Sequence, residues 1–280
     1  MTTLNDQDVA SLVRMPHTHD IVIIEDEVRK TYVSWDEDEP KREWAALHHL
    51  AIHAPDLAPL PLSQTTVDGR PSIVMSRIPG HPMTGTVSQD QQVALTDALR
   101  RLFAVPVPHG LPIRANDPVG FPQRFRPWLT EKYDLGQCQE PALVRRAIEA
   151  AVHWLQHCPA DENWLVDPVL ALGDGNLDNV MWDGSVARLI DWEEYGVSDL
   201  AYEVADVMEH ASSRLERRLD VSSFLDAMEL SAGQYERVEG HRRMFACFWL
   251  VMLLPGNGGW RRNPPGSTED QARHLLGILK

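Results

Sequence analysis

Twenty-two residues, 172–193, constrain this chain more than any other stretch: L-G-D-G-N-L-D-N-V-M-W-D-G-S-V-A-R-L-I-D-W-E. Two short apolar runs, Val180–Trp182 and Val186–Ile190, flank Asp183-Gly184-Ser185, which is the pattern of a β-hairpin. A hairpin of this length folds back on itself, so Asn179 at its start and Asp191 at its end are predicted to lie side by side. Asp174, five positions before Asn179, sits on the loop leading in. The set holds one carboxylate able to accept a proton, with an amide and a second carboxylate able to share Mg²⁺. Transfer of a phosphoryl group from a nucleoside triphosphate needs these parts. The competing reading is a β-hairpin whose turn acids are merely solvated.

The same residues resemble the catalytic and metal-binding loops of the aminoglycoside phosphotransferase and choline kinase family, small-molecule kinases with a protein-kinase-like fold. That family's H-G-D, Asn and I-D-W-E pattern is matched by Gly173-Asp174, Asn179 and Ile190-Asp191-Trp192-Glu193, with Leu172 where His is usual. The resemblance implies an α+β, bilobal fold, with a small β-rich nucleotide-binding lobe over residues 1–78 and a larger, mainly helical catalytic and acceptor-binding lobe over 79–280. It implies ATP or GTP and Mg²⁺ as cofactors, Asp174 as base, and Asn179 and Asp191 as metal ligands. The family's strand lysine and helix glutamate are matched by Val28-Arg29-Lys30 and Arg42-Glu43, so Lys30 would hold the α- and β-phosphates and Glu43 would hold Lys30. A register error of one would put Arg29 in the cleft instead. Ser76 and Ile78 fall where the family's hinge binds adenine through its backbone.

Two departures from the pattern matter. Leu172 cannot donate the hydrogen bond by which the usual His braces the loop, so another brace is required. The segment before Asp20 lacks glycine, so His17, Thr18 and His19 are the candidates to reach the phosphates with side chains. Both departures keep open a catalytically inactive, ligand-holding relative.

Composition narrows the partners. The chain has 280 residues, 43% hydrophobic and 24% charged, with a formal net charge of −15. That charge disfavours nucleic acid and anionic membrane surfaces and suits a cationic small molecule, although acidity for solubility alone explains it equally well. No apolar run approaches a membrane span, and the polar, acidic start is unlike a signal peptide. Three widely spaced cysteines fit a reducing cytoplasm. A protein-ligated transition metal is not expected: His17 and His19 read as part of a turn, and His48-His49 on a helix cannot both face one ion. A monomer or weak homodimer is expected.

Periodicity predicts a helix over 5–14, a hairpin over 20–34, a helix over 41–53 with Trp44, Leu47 and Leu50 buried, and strands over 62–67 and 72–78. Helices are predicted over 89–104, 122–133, 142–157, 199–211, 222–230, 234–254 and 268–279, with the later strands confined to 170–191. Apolar Met244–Leu254 reads as helical core, and Gly256–Arg262 as a loop. Among Glu193, Glu194, Asp199 and Glu203, carboxylates near Trp192 and Tyr195 suit an amine-bearing acceptor. The alternative for Asp199 is a helix cap. Glu203 and Asp206, three apart, share a helix face. The resemblance implies an antibiotic phosphotransferase acting on an aminoglycoside or a basic cyclic peptide of the capreomycin and viomycin kind. The alternative is a metabolic kinase for choline, an amino sugar or a related alcohol.

Overall fold

The computed structural model describes residues 19–33, 38–157, 163–216 and 218–280. The expected helix over 5–14, together with His17 and Thr18, lies outside them. The small lobe is a four-stranded antiparallel sheet of β1 (Asp20–Ile24), β2 (Glu27–Thr31), β3 (Pro61–Val67) and β4 (Arg70–Ser76), in the order β1-β2-β4-β3. The β3–β4 turn is Asp68-Gly69, both with positive φ (51° and 77°), the mirror-image geometry that matches strand twist and suits Asp-Gly. Helix α1 (Glu39–His53) packs on this sheet, with Pro40 in its first turn where a missing N–H costs nothing.

The buried face of α1 is rotated from the expected stripe. Leu47 and Leu50 are buried as predicted, but Trp44 is only partly so, and Glu43 and Ala46 face inward. The cause is polar: Glu43 turns toward Lys30 on β2, which periodicity of apolar residues cannot register.

Beyond β4 the chain crosses to the large lobe through 77–80. Arg77 N–H donates to the Asp26 carbonyl at 2.7 Å. Strand β5 (His81–Pro82) pairs with β7 (Val180–Trp182), which pairs with β8 (Ala187–Leu189) as the predicted hairpin. Its turn is closed by Asp183, whose carboxylate accepts from Ser185 N at 2.9 Å and Val186 N at 2.8 Å. A further pair, β6 (Pro168–Leu170) with β9 (Val197–Asp199), carries the loop that holds Asp174. Strands β5, β6 and β9 are two or three residues long, too short to display a period, and the sequence reading missed them.

The remaining large-lobe elements are helices. They are α2 (Gln89–Phe103), α3 (Gly120–Phe125), α4 (Pro141–His157), α5 (Leu200–Glu209), α6 (Val221–Met228), α7 (Ala232–Met252), α8 (Gly258–Arg262) and α9 (Ser267–Ile278). Ser88 and Ser231 start α2 and α7 with reciprocal capping boxes to Gln91 and Gln234. The single helix expected over 122–133 is instead α3 followed by a 3₁₀ turn at Arg126–Thr130, where Pro127 removes an N–H donor. The expected loop at 256–262 contains α8. Met244, Phe245, Cys247, Leu250 and Val251 are buried, in keeping with their reading as core. Buried Glu209 joins three helices: it accepts from Arg242 on α7 at 2.8 Å and pairs with His274 on α9 at 2.7 Å.

Gly80 fixes the join between the lobes. Its φ is +96°, and a Cβ there would run into the Trp182 carbonyl on β7. Gly80→Ala combines a left-handed backbone with a backbone clash, so it should destabilise the protein by about 2–4 kcal/mol. Urea unfolding checks this; a midpoint within error of the parent would mean that the crossing is not tightly packed.

Candidate active site

Two lobes meet at one ammonium. The alternation of β2 turns Lys30 inward toward α1, with Arg29 on the opposite face of the sheet. Lys30 is 5% exposed. Its Nζ donates to Glu43 at 2.8 Å, to Glu193 at 2.8 Å and to Asp191. Burial works against the charge, but Glu43, Asp191 and Glu193 outweigh it and hold the Lys30 pKa well above its ordinary value. Glu43 also accepts from the Tyr32 hydroxyl and, through its other oxygen, from Trp192 N–H at 3.4 Å. A helix carboxylate of the small lobe thus binds the backbone of the large lobe beside Asp191.

His19 closes the same cluster from above. It is 5% exposed, its Nε2 bonds Glu193 at 2.9 Å, and its ring lies 4.8 Å from that of Tyr32. Burial opposes the Glu193 charge, yet His19 and Lys30 pull its pKa down to about 2.

The hairpin brings Asn179 and Asp191 together as its pattern requires. Val180 pairs with Leu189, and Ile190 N–H donates to the Asn179 carbonyl at 3.0 Å, so the ladder runs up to Asn179 and releases Asp191 just past it. Asp191 has φ 69°, an unusual backbone for a side chain with a Cβ; such strain persists where surroundings enforce it. Asn179 Nδ2 lies 3.5 Å from Asp174 Oδ2. The side chain of Asp174 is 47% exposed. Partial desolvation by the cleft walls, with the Asp191 charge adding to it, raises its pKa to about 6. Oxygen donors of this kind suit a hard cation such as Mg²⁺. Carboxylate oxygens of Glu43, Asp191 and Glu193 come within 4.8 Å of one another, as do donor atoms of His19, Glu39 and Glu193.

The four carboxylates expected to face an acceptor part company. Glu193 belongs to the Lys30–His19 cluster. Asp199 is fully buried: it caps α5 by accepting from Ala201 N at 2.9 Å, and it accepts from Val166 and Asp167 N–H at 3.0 and 2.8 Å. Glu203 is 3% exposed and faces the backbone of the Asp174 loop. Neither Asp199 nor Glu203 is open to a ligand: peptide N–H groups engage both, and an arginine pairs with each, Arg237 with Asp199 and Arg114 with Glu203. Glu194 is partly exposed, as Glu193 is, but lies outside the Lys30–His19 cluster; both its oxygens lie 3.2 Å from Asn116 Nδ2. Burial, with Asp174 nearby, raises its pKa to about 7 against the pull of Arg114. Ser76 ends β4, where its hydroxyl accepts from Leu60 N–H at 2.8 Å; the buried Ile78 follows in the 77–80 crossing.

Sequence reasoning missed four side chains here. Tyr32 sits two residues from Lys30 on the same sheet face. His210, just past α5, places Nε2 3.4 Å from Asp174 Oδ1 and bonds Ser212 through Nδ1 at 2.7 Å. Arg114 and Asn116 come from the 111–119 loop, whose L-P-I-R-A-N-D-P sequence carries no local pattern. A phase-matched Tyr32 was the one readable signal.

Comparisons fit this geometry. The model of the phosphotransferase enzyme family matches residues 28–241. Among solved structures, a choline/ethanolamine kinase family protein from Mesorhizobium loti aligns at 14% identity and TM-score 0.61, covering 98% of this chain and 90% of that one. A thermostable mutant of aminoglycoside phosphotransferase APH(4)-Ia, in ternary complex with AMP-PNP and hygromycin B, aligns at 14% identity and TM-score 0.61, over 96% and 93% of the two chains. ADP-bound aminoglycoside phosphotransferase APH(2'')-Ib aligns at 13% identity and TM-score 0.59, over 95% and 91%. At these identities the likeness is one of fold. No curated protein sequence matches the chain.

The raised Asp174 pKa has a sign that stability can report. The folded chain holds this proton up to about pH 6, whereas an unperturbed Asp loses it near 3.8. Stability therefore falls as pH rises between those values, by an amount that solvent around this 47% exposed side chain keeps small, and the penalty is fully present above 6. Asp174→Asn should melt at a higher temperature than the parent at about pH 8 in metal-free buffer, with the gain gone near pH ~3.5, below both values. An equal or lower melting temperature on the alkaline side would contradict the assignment.

Proposed function

The chain belongs to the phosphotransferase enzyme family, the small-molecule O-phosphotransferases related to aminoglycoside phosphotransferases and choline kinases, and from that premise we propose that it transfers the γ-phosphoryl group of ATP to a hydroxyl on a cationic small molecule. The observation that carries the proposal is the convergence of Asp174, Asn179, Asp191 and Lys30 between the lobes. Asp174 accepts the proton of the acceptor hydroxyl as its oxygen forms a bond to the γ-phosphorus. The bond from that phosphorus to the bridging oxygen breaks, and ADP leaves. Asn179 and Asp191 would hold Mg²⁺, which supplies positive charge against the triphosphate. Lys30 donates to the α- and β-phosphates, with Glu43 and Tyr32 fixing its stem. The 77–80 crossing, with Ser76 and Ile78 at its edge, binds the base of the nucleotide; GTP is the alternative to ATP.

Glu194 gives the acceptor its charge preference. It is a partly open carboxylate beside Asp174 that is not paired with the Lys30 ammonium, and the net charge of −15 favours a cation's approach. Basic antibiotics, whether aminoglycosides or cyclic peptides of the capreomycin and viomycin kind, head the acceptors, followed by choline and amino sugars. No helix among the described residues is long and apolar enough to cross a membrane. Among the described residues, buried Cys138 and Cys247 form no disulfide, which suits the reducing cytoplasm where ATP is available.

ATP consumption with a panel of basic antibiotics and amino alcohols, read with product mass, tests the proposal. An acceptor-dependent gain of one phosphoryl group is expected. Asp174→Asn should lower turnover by about 10²–10⁴-fold while the KM for ATP stays near that of the parent. Near-parental turnover in that variant would remove Asp174 as the base, and no acceptor-dependent ADP across the panel would remove the substrate class.

A further inference from the structure

The loop carrying Asp174 is held from outside by a buried ion cluster. Arg114 is 3% exposed, on the 111–119 loop. Its guanidinium donates to the Gly173 carbonyl, to Glu203 Oε1, to Asp206 Oδ2 at 3.2 and 3.3 Å, and to the Ala115 carbonyl at 3.0 Å. One Nη lies 3.6 Å from Glu194, and the guanidinium sits 5.0 Å over the ring of Tyr202. The other oxygen of Glu203 accepts from Leu172 N–H at 3.0 Å and Gly173 N–H at 3.4 Å.

Both peptide edges next to Asp174 are therefore occupied, the N–H groups of 172 and 173 by Glu203 and the carbonyl of 173 by Arg114. Close packing leaves this stretch little room to shift: a Cβ on Gly173 would meet Glu194, and one on Gly175 would lie 2.6 Å from the Asp206 backbone. Residue 172 is Leu, whose side chain is apolar and buried and can hold neither edge. We propose that Arg114 is a positioning residue for phosphoryl transfer, its planar fork joining the Gly173 carbonyl to Glu203 and Asp206 so that Asp174 is held in line for the acceptor. Shape matters as well as charge. A lysine presents a compact ammonium on a flexible stem and cannot span these acceptors in one plane. Arg114 also offsets the charge of the carboxylates gathered around the Asp174 loop. Glu194, Glu203 and Asp206 all converge on this one cation, which makes truncating it costly.

The inference rests on the proposed transfer reaction for its kinetic part and on the structure alone for its loop-holding part. Arg114→Lys in the full chain keeps the positive charge and removes the fork. Amide hydrogen exchange at Leu172 and Gly173 should speed by roughly tenfold or more, with distant helices unchanged. ATP turnover should fall by about 10–100-fold with the KM for ATP within about threefold of the parent, since a small displacement of the base costs rate and not nucleotide binding. Glu203→Gln keeps an acceptor oxygen and loses its charge. It should show the same pattern in weaker form, and it carries the test should Arg114→Lys fail to fold. Unchanged exchange at 172–173 would overturn the proposal. So would faster exchange with parental turnover, or turnover and ATP affinity falling together, which is the mark of a general structural loss. A parent that consumes no ATP with any acceptor would sink the transfer reaction instead, leaving the exchange measurement to judge Arg114.

Discussion

Everything in the site is arranged around the Lys30 ammonium. A buried cation is costly in isolation, and it survives here because Glu43 from the small lobe and Asp191 and Glu193 from the large one surround it. Each partner is placed by a different element: α1, the exit of the β7–β8 hairpin, and the residues just beyond. Removing the ammonium would leave three carboxylates facing one another at the seam between the lobes. The same arrangement explains why α1 presents a carboxylate to the interior at position 43 when its apolar pattern favours Trp44.

Much of this was legible from the chain because it is local. The hairpin could be read from an Asp-Gly-Ser turn between two apolar runs, and its geometry alone places Asn179 beside Asp191. Lys30 and Glu43 were legible through strand and helix phase, helped by the family pattern. What escaped was non-local or non-periodic. Arg114 lies 59 residues from Gly173 and 89 from Glu203, on a loop with no repeat to place it. His210 meets Asp174 only because α5 packs under that loop. The acceptor carboxylates were over-assigned for a related reason. A run of acids on one helix looks like a charged face, yet α5 is buried almost throughout, so Asp199 and Glu203 face peptide N–H groups and arginines.

Leu172 shows how the two levels combine. The sequence announces that a usual donor is missing, and the structure answers with donors and acceptors from a distant loop and from the helix beneath. The polar requirement of the loop's backbone is unchanged; only its source has moved. A family pattern therefore describes which groups must be satisfied more reliably than which residue satisfies them.

The Gly80–Trp182 contact bears on how the cleft could open. Because β5 is laddered to β7, the first residues after the crossing move with the hairpin that carries Asn179 and Asp191, while Arg77 is bonded back to Asp26 in the sheet above. Ile78 and Pro79 are thereby the two residues of the crossing left between these bonds, and the pyrrolidine ring fixes one of their torsions. The small lobe is fastened to the large one a second time, where Leu189 N–H on the same hairpin donates to the Leu57 carbonyl at 2.8 Å, so Asn179 and Asp191 are anchored to the sheet above from two sides.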